Sequence, residues 1–309
     1  MDKLTFLKLA ETIMIEEQRP LSPMEIWKLA IQKGYDKRVG TQGKTPWQSI
    51  GAQIYIDIRD NPESIFVKAS TRPTRFFLKH LLPNGEPADI EEQRADDNEL
   101  ASKMKLTERE LHPFLTYYAY TYMLVRTKTI YHEKSKKKSF SQWLHPDMVG
   151  VYFPIREWNN EVLELSKELG SPSLKLYSFE VKKQLDFNNL REAFFQTVSN
   201  SSWANEAYLV AAEISSDEDF RNELKRLSTS FGIGIINLNI YDPDATEILH
   251  PARFRRELDW DNMNKLADEN PDFRDFITRV RKDFTANEVW KEKYDKVFDP
   301  KDLIERLKK

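Results

Sequence analysis

An acidic, proline-containing stretch near residue 90 constrains this 309-residue chain most, because it divides the sequence into two parts. Residues 83–100 contain seven Asp and Glu against one Arg, and Pro83 and Pro87 stand at their start. Like charges at this density repel one another and keep a chain extended, and no hydrophobic period interrupts them. We therefore predict an acidic linker over residues 83–105, which separates an N-terminal domain, residues 1–82, from the rest of the chain.

Composition limits the kinds of protein that this chain can be. It has no cysteine, which excludes disulfides, cysteine nucleophiles and zinc–thiolate sites. The longest apolar runs, such as residues 232–236, are far shorter than the roughly 20 residues that span a bilayer. The N-terminus shows no pattern of a secretory signal peptide, so we expect a soluble, cytoplasmic protein without a membrane partner.

The net charge of −3 hides an uneven distribution along the chain. An acidic average argues against a nucleic-acid-binding protein, but residues 1–82 contain 13 Lys and Arg against 9 Asp and Glu. A local excess of positive charge is what a phosphate backbone attracts. The charge distribution is therefore compatible with DNA binding by the N-terminal domain.

Two helix-start signals lie in this domain. In the first, Ser22 can cap a helix, Pro23 fits its first position, and Glu25 can reach back to the cap amide. That helix would end near Gly34, because glycine readily adopts the left-handed conformation of a C-cap. The second signal, TPWQ at residues 45–48, opens a third helix, and the apolar spacing of residues 4–14 predicts the first.

An extended pair of segments follows the helices. Residues 65–68 and 75–78 flank a tip at residues 70–73, so three helices and a hairpin predict a winged helix-turn-helix domain. The start of the third helix usually enters the major groove in such domains, and a helix N-terminus also favours phosphate. The residues predicted to contact DNA, at this helix start and on or beside the wing, are Lys44, Thr45, Trp47, Gln48, Arg72, Arg75 and Lys79. For Trp47, packing in the core is an equally good interpretation.

Two strings in this domain carry a resemblance to a known family: RPLSPMEIW at residues 19–27 and GKTPW at residues 43–47. With the remainder of residues 4–78, they resemble the HARE-HTH domain. That domain occurs in the delta subunit of bacterial RNA polymerase, in eukaryotic chromatin proteins and beside restriction nucleases. The resemblance implies a winged helix, and it also implies selection of modified DNA, because the family has been proposed to sense modified bases.

The second part of the chain alternates between predicted helices and strands. The predicted helices cover residues 106–125, 156–169, 190–198 and 217–227. The predicted strands cover residues 129–133, 143–153, 174–182, 207–211 and 232–238. We therefore predict an α/β domain over residues 106–258, followed by a helical C-terminal extension over residues 259–309. This extension would either pack on the α/β domain or mediate dimerisation.

Three side chains of this domain suggest a chemistry. Glu180 and Lys182 lie two residues apart on a predicted strand, so both project from one face, and Asp147 on another predicted strand would supply a second carboxylate. Carboxylates hold Mg²⁺ through oxygen, the ion lowers the pKa of a bound water, and lysine stabilises charge on phosphorus. The pattern favours metal-dependent phosphodiester hydrolysis. The alternative is a strand-end cap at Asp147 and an exposed Glu–Lys pair.

The same residues, as Pro146-Asp147 and Glu180-Val181-Lys182, resemble the PD-(D/E)xK nuclease superfamily over residues 106 to about 240. The resemblance implies a restriction-endonuclease-like α/β core with two metal-binding carboxylates and a catalytic lysine. One feature departs from the family. A predicted helix separates the two strands, which form a close hairpin in many members, so the contact between the two carboxylates is left open.

The resemblance also implies two further site residues. The superfamily places a glutamine on the helix after its Glu-x-Lys strand, which Gln196 matches. Some members add an acid from the first helix as another metal ligand, and here Glu110 ranks before Glu108.

These patterns together predict a restriction-type endonuclease that uses Mg²⁺, with Mn²⁺ as a substitute, to cut double-stranded DNA. We expect a homodimer, because one such site cuts one phosphodiester at a time. One alternative is a transcriptional or chromatin-type regulator whose second domain is catalytically silent. Another is a DNA-repair or RNA-directed nuclease with the same core chemistry.

Overall fold

The computed structural model describes residues 4–39, 46–71, 74–82, 106–135, 145–154, 158–169 and 174–307. The chain divides into two compact units, Met1–Lys105 and Leu106–Lys309. The predicted acidic linker, residues 83–105, lies outside the described residues. None of the described helices is both long enough and apolar enough to cross a membrane.

The first unit contains the predicted helices and hairpin. Its helices are α1 (Phe6–Glu17), α2 (Pro23–Gln32) and α3 (Pro46–Asp60), and strands β1 (Phe66–Thr71) and β2 (Thr74–Leu78) pair antiparallel. The apolar faces of these elements meet in one core, which includes Leu9, Ile13, Ile26, Ile54 and Phe76. The prediction of three helices and a hairpin is confirmed.

The start and end of α2 follow the predicted local chemistry. The Glu25 N–H donates to Ser22 Oγ at 3.3 Å, and the Ser22 N–H donates to Glu25 Oε2 at 2.9 Å, which completes a capping box. Pro23 occupies the first helical position. After the helix, Gly34 has a φ of +73°, a left-handed conformation that glycine adopts without a steric penalty. The sequence signals at both ends of α2 are thus confirmed.

A mixed six-stranded sheet forms the centre of the second unit, as far as the structure describes it. Its strands are β3 (Val125–Thr129), β4 (Met148–Tyr152), β5 (Lys175–Leu185), β6 (Glu206–Ile214), β7 (Gly234–Asn237) and β8 (Glu247–His250). They are arranged in sequence order. Strand β4 runs antiparallel to both β3 and β5, whereas β5, β6 and β7 are parallel to one another, and β8 is antiparallel to β7. The predicted mixed α/β architecture is confirmed.

Helices cover both faces of this sheet. They are α4 (Glu108–Met123), α5 (Asn160–Glu168), α6 (Leu190–Ser199), α7 (Glu218–Phe231), α8 (Trp260–Glu269), α9 (Pro271–Ala286) and α10 (Pro300–Arg306). The buried side of α4 shares a core with Phe179 and Val181 of β5. The helices α8 and α9 share a different core with Val149 and Val151 of β4. The C-terminal residues, predicted as a helical extension, are therefore built into the core of the second unit.

Two predicted strands are placed differently in the structure. The strand predicted at residues 129–133 lies at Val125–Thr129, and residues 132–134 form a 3₁₀ turn. The predicted position of this strand is wrong because β3 has a weak apolar pattern: its buried residues are Thr127, Thr129 and a single apolar residue, Val125. The strand predicted at residues 143–153 is shorter, Met148–Tyr152, with residues 143–144 outside the described ranges.

Candidate functional site

Asp147 lies directly opposite the Glu180 segment, although a helix separates their strands in sequence. Strands β4 and β5 pair antiparallel with Met148 beside Phe179, so the residue before Met148 faces the residue after Phe179. The Val181 N–H donates to Asp147 Oδ2 at 2.8 Å, which fixes one carboxylate oxygen on the neighbouring strand. The interposed α5 therefore does not keep the two carboxylates apart.

Glu180 and Lys182 share one face of β5, as their spacing predicts. The Lys182 Nζ atom donates to Glu180 Oε1 at 2.8 Å. Glu180 is fully buried, and the side chain of Lys182 is 16% exposed. The two groups therefore form a shielded hydrogen-bonded pair at the sheet, in contrast to an exposed Glu–Lys pair on the surface.

The pKa values of the three ionisable groups in this cluster are shifted in different directions. Burial raises the pKa of Glu180 to about 8, and the nearby charge of Asp147 adds to the rise. Burial also opposes ionisation of Asp147, but a hydrogen bond with His132 and the charge of Lys182 outweigh it, so its pKa is lowered. Burial likewise opposes the charge of Lys182, yet Glu180 and Asp147 outweigh it and raise the lysine pKa. Asp147 and Lys182 are thus held charged, while Glu180 exchanges its proton near neutral pH.

Of the two acids in the first turn of α4, Glu108 is the one that lies beside Lys182. The sequence prediction places Glu110 before Glu108 as a candidate metal ligand. Glu108 Oε2 lies 4.0 Å from Lys182 Nζ, and burial raises the Glu108 pKa. Glu110 accepts from the Thr107 N–H at 2.6 Å and from Thr107 Oγ1 at 2.8 Å, which makes it the partner of the N-cap residue Thr107 in the capping box of this helix. Two residues are about 200° apart around a helix, so only one of these acids can face the sheet.

Two polar contacts to the carboxylates were missed by the sequence interpretation. His132 Nε2 lies 3.1 Å from Asp147 Oδ1, and since an ionised carboxylate only accepts, the imidazole N–H donates. Asn200 is buried and donates from Nδ2 to Glu180 Oε2 at 3.4 Å. The predicted Gln196 lies half-buried on α6, one helical turn before Asn200. That spacing was the available signal, because a residue four positions after Gln196 shares its face.

The cluster offers oxygen ligands to a hard cation. Within the described ranges, no group of three or more histidine, aspartate and glutamate side chains is arranged to hold a metal ion. Mg²⁺, however, is usually held by one or two carboxylates, with waters and substrate phosphates completing its coordination. The pair of Asp147 and a buried Glu180 whose pKa is raised fits such an ion, because a divalent cation would offset their mutual repulsion.

In the first unit, the described DNA-contact predictions have different environments. Trp47 is half-buried: it packs against the core and its indole N–H is buried, which agrees with the core interpretation. Arg75 donates to the Pro20 carbonyl at 3.2 Å and pairs with Glu25 at 3.1 Å, which ties it to the start of α2. Lys79 is exposed. Lys44, Thr45, Arg72 and the Gln48 side chain lie outside the described residues.

Comparison with known proteins identifies one of the two units. Residues 4–77 match the HARE-HTH family, whose description names ASXL proteins and a helix-turn-helix domain of restriction endonucleases. No curated protein and no solved structure matches the chain. The winged-helix unit is therefore a HARE-HTH domain, and this membership indicates DNA binding.

Proposed function

We propose that this protein is a metal-dependent endodeoxyribonuclease of the restriction type. The HARE-HTH domain would bind duplex DNA, and the second unit would hydrolyse phosphodiester bonds. One observation carries the catalytic part: Asp147 and Glu180 face each other across two paired strands, with Lys182 bonded to Glu180 at 2.8 Å. The restriction class is supported by the family description, which includes restriction endonucleases.

Charge balance supports a cation at this cluster. When ionised, Asp147, Glu180 and Glu108 outnumber the two lysines beside them, Lys182 and Lys183, and the raised pKa values of both glutamates reflect burial together with the charge of Asp147. Mg²⁺ offsets such an excess of negative charge through oxygen ligands, and Mn²⁺ accepts the same ligands. We propose that Asp147 and Glu180 hold the ion.

The side chains would divide the work of hydrolysis. When bound, the ion would polarise the phosphate and lower the pKa of a water that attacks phosphorus. Lys182 would orient the attacking water, or stabilise the negative charge that develops on a non-bridging phosphate oxygen as the water attacks phosphorus. Glu180 Oε1 orients this lysine, and Asn200 restrains the other carboxylate oxygen.

A cleavage assay with matched variants tests this function. The full-length protein is incubated with Mg²⁺ or Mn²⁺ on plasmid, on unmodified phage DNA and on DNA with modified cytosines. Asp147→Ala and Lys182→Ala should each abolish cleavage. Lys175→Ala, at the far end of β5, and Asp259→Ala, the N-cap of α8, should cut as the wild type does.

Three results would decide against a nuclease. They are no cleavage of any substrate by the wild type, equal cleavage by the Asp147→Ala variant, and equal cleavage by the Lys182→Ala variant. Duplex binding without cleavage in either metal would support the regulator with a silent second domain. That alternative agrees with the missing third metal ligand among the described residues.

A further inference from the structure

The turn that carries His132 is tied to the junction between α8 and α9. Asn270 ends α8 and caps α9: its Oδ1 accepts from the Asp272 N–H at 2.8 Å. Its Nδ2 donates to the Tyr131 carbonyl at 3.0 Å and to Ser135 Oγ at 2.9 Å. Asn270 is fully buried, so each of these bonds is shielded from water. One side chain therefore joins the helix junction to both ends of the turn.

Asp272 holds the same turn through its other neighbours. The Tyr131 N–H donates to Asp272 Oδ2 at 3.2 Å, and Lys134 Nζ donates to Asp272 Oδ1 at 2.8 Å. The side chain of Asp272 is only 12% exposed. Together, Asn270 and Asp272 bind the backbone on one side of His132 and side chains on the other. The position of His132 is thus set by the C-terminal helices.

His132 in turn fixes the orientation of Asp147. The imidazole binds Asp147 Oδ1 and the Val181 N–H binds Oδ2, so each carboxylate oxygen is restrained by a different donor. Each oxygen retains a further lone pair, because a carboxylate accepts at about four positions. A carboxylate restrained in this way loses little rotational freedom when it binds a cation.

We propose that His132 is a positioning residue that orients Asp147 for metal binding, and that Asn270 and Asp272 set its place. This inference rests on the proposed nuclease function, because it assigns Asp147 to the metal. It also gives the C-terminal helices a role in the site, through a turn that they hold rather than through contact with substrate. Loss of a residue that orients a ligand typically weakens metal binding about 10- to 100-fold.

Metal binding without DNA tests His132 directly. Mn²⁺ affinity of the full-length protein is measured by electron paramagnetic resonance for the wild type, Asp147→Ala, His132→Ala and His132→Gln. We expect His132→Ala to weaken binding about 10-fold or more. His132→Gln should recover most of the loss, because the glutamine amide can donate from nearly the same place as Nε2. A high Mn²⁺ concentration should restore cleavage by His132→Ala but not by Asp147→Ala.

A second pair of variants tests the helix junction. Asp272→Ala should weaken Mn²⁺ binding, by less than His132→Ala does, while Asp259→Ala should leave it unchanged. Both substitutions remove an aspartate near the start of a C-terminal helix, but only Asp272 bonds to the His132 turn. Thermal unfolding of both variants checks that each is folded. Wild-type affinity in Asp272→Ala would overturn the role of the junction.

The outcomes separate this inference from the function on which it rests. If the wild type binds no Mn²⁺, or Asp147→Ala binds it equally well, the proposed metal site is wrong and the inference falls with it. If Asp147→Ala loses binding while His132→Ala retains wild-type affinity, the metal site stands and the positioning role is overturned. Equal losses in the alanine and glutamine variants of His132 would also overturn it, because the donated hydrogen bond would then not matter.

Discussion

Replacing Glu180 by glutamine should make the protein more stable, and increasingly so as the pH rises. The folded-state pKa of Glu180 is raised from 4.5 to about 8, mainly by burial and then by the charge of Asp147. A raised carboxyl pKa means that the folded state binds the proton more tightly than the unfolded state does. Stability is therefore lost as the pH rises between about 4.5 and 8, and this loss disappears with the carboxyl group.

The size of the effect follows from the pKa difference. A rise from 4.5 to about 8 corresponds to at most about 5 kcal/mol between the two ends of this pH window. Lys182 pairs with the ionised form at 2.8 Å, and the protein relaxes around a buried charge, so a few kcal/mol is the expected result. Glutamine keeps an oxygen that accepts from Lys182, and Asp147 still balances the lysine charge.

Calorimetry of the full-length protein measures this difference. The unfolding transition of the second unit is recorded at pH 5.5, 7 and 8.5 in a chelator, for the wild type and Glu180→Gln. Glu213→Gln, at an exposed position on the neighbouring strand β6, controls for the chemical change itself. The stability of Glu180→Gln relative to the wild type should increase as the pH rises, whereas the stability of Glu213→Gln should change with pH as that of the wild type does. Parallel pH dependence in all three proteins would refute the reasoning, and the buried carboxyl would then be ionised throughout.

Three further predictions concern other positions. Glu110→Ala should lower the free energy of unfolding by about 0.5–2 kcal/mol, because it breaks the capping box at the start of α4, and it should leave Mn²⁺ affinity unchanged. Glu108→Ala should instead weaken Mn²⁺ binding in a metal titration without lowering the free energy of unfolding in urea. Equal effects of the two variants on both quantities would contradict the site geometry. Gly150→Ala should lower the free energy of unfolding in urea by about 1–3 kcal/mol, because the added methyl group would lie 2.6 Å from a side chain of β3. An unchanged urea midpoint would mean that β3 shifts to make room for the methyl group. Lys79→Ala should weaken duplex binding and reduce its salt slope by about 1, whereas Arg75→Ala should mainly destabilise the first unit; a larger binding loss for Arg75 would reverse the two roles.

Local chemistry explains why the first unit could be predicted. The capping box at Ser22 and Glu25 and the left-handed Gly34 depend on residues within one helix and its ends. Such signals are complete within a short stretch of sequence. The DNA-contact residues are harder to predict from sequence. Arg75 has the position and charge of a DNA-binding residue on the wing, but in the structure it pairs with Glu25, 50 residues away in sequence. Its pairing depends on how the hairpin packs beside α2, which no local pattern specifies.

At the candidate site of the second unit, too, local features could be predicted from the sequence, whereas contacts between distant residues could not. Glu180 and Lys182 share a face because strand geometry requires it, so their spacing alone placed them together. The restraint on Asp147 instead passes through Tyr131 and Asp272, which are 141 residues apart in sequence. An asparagine and an aspartate at a helix junction look like ordinary caps, and the cap at Asn270 is real. Its amide group nevertheless makes two further bonds to a turn beside the carboxylates, because a side chain has more hydrogen-bonding groups than a cap uses. Residues that orient a site are hidden from sequence patterns when their local role already explains why they are there.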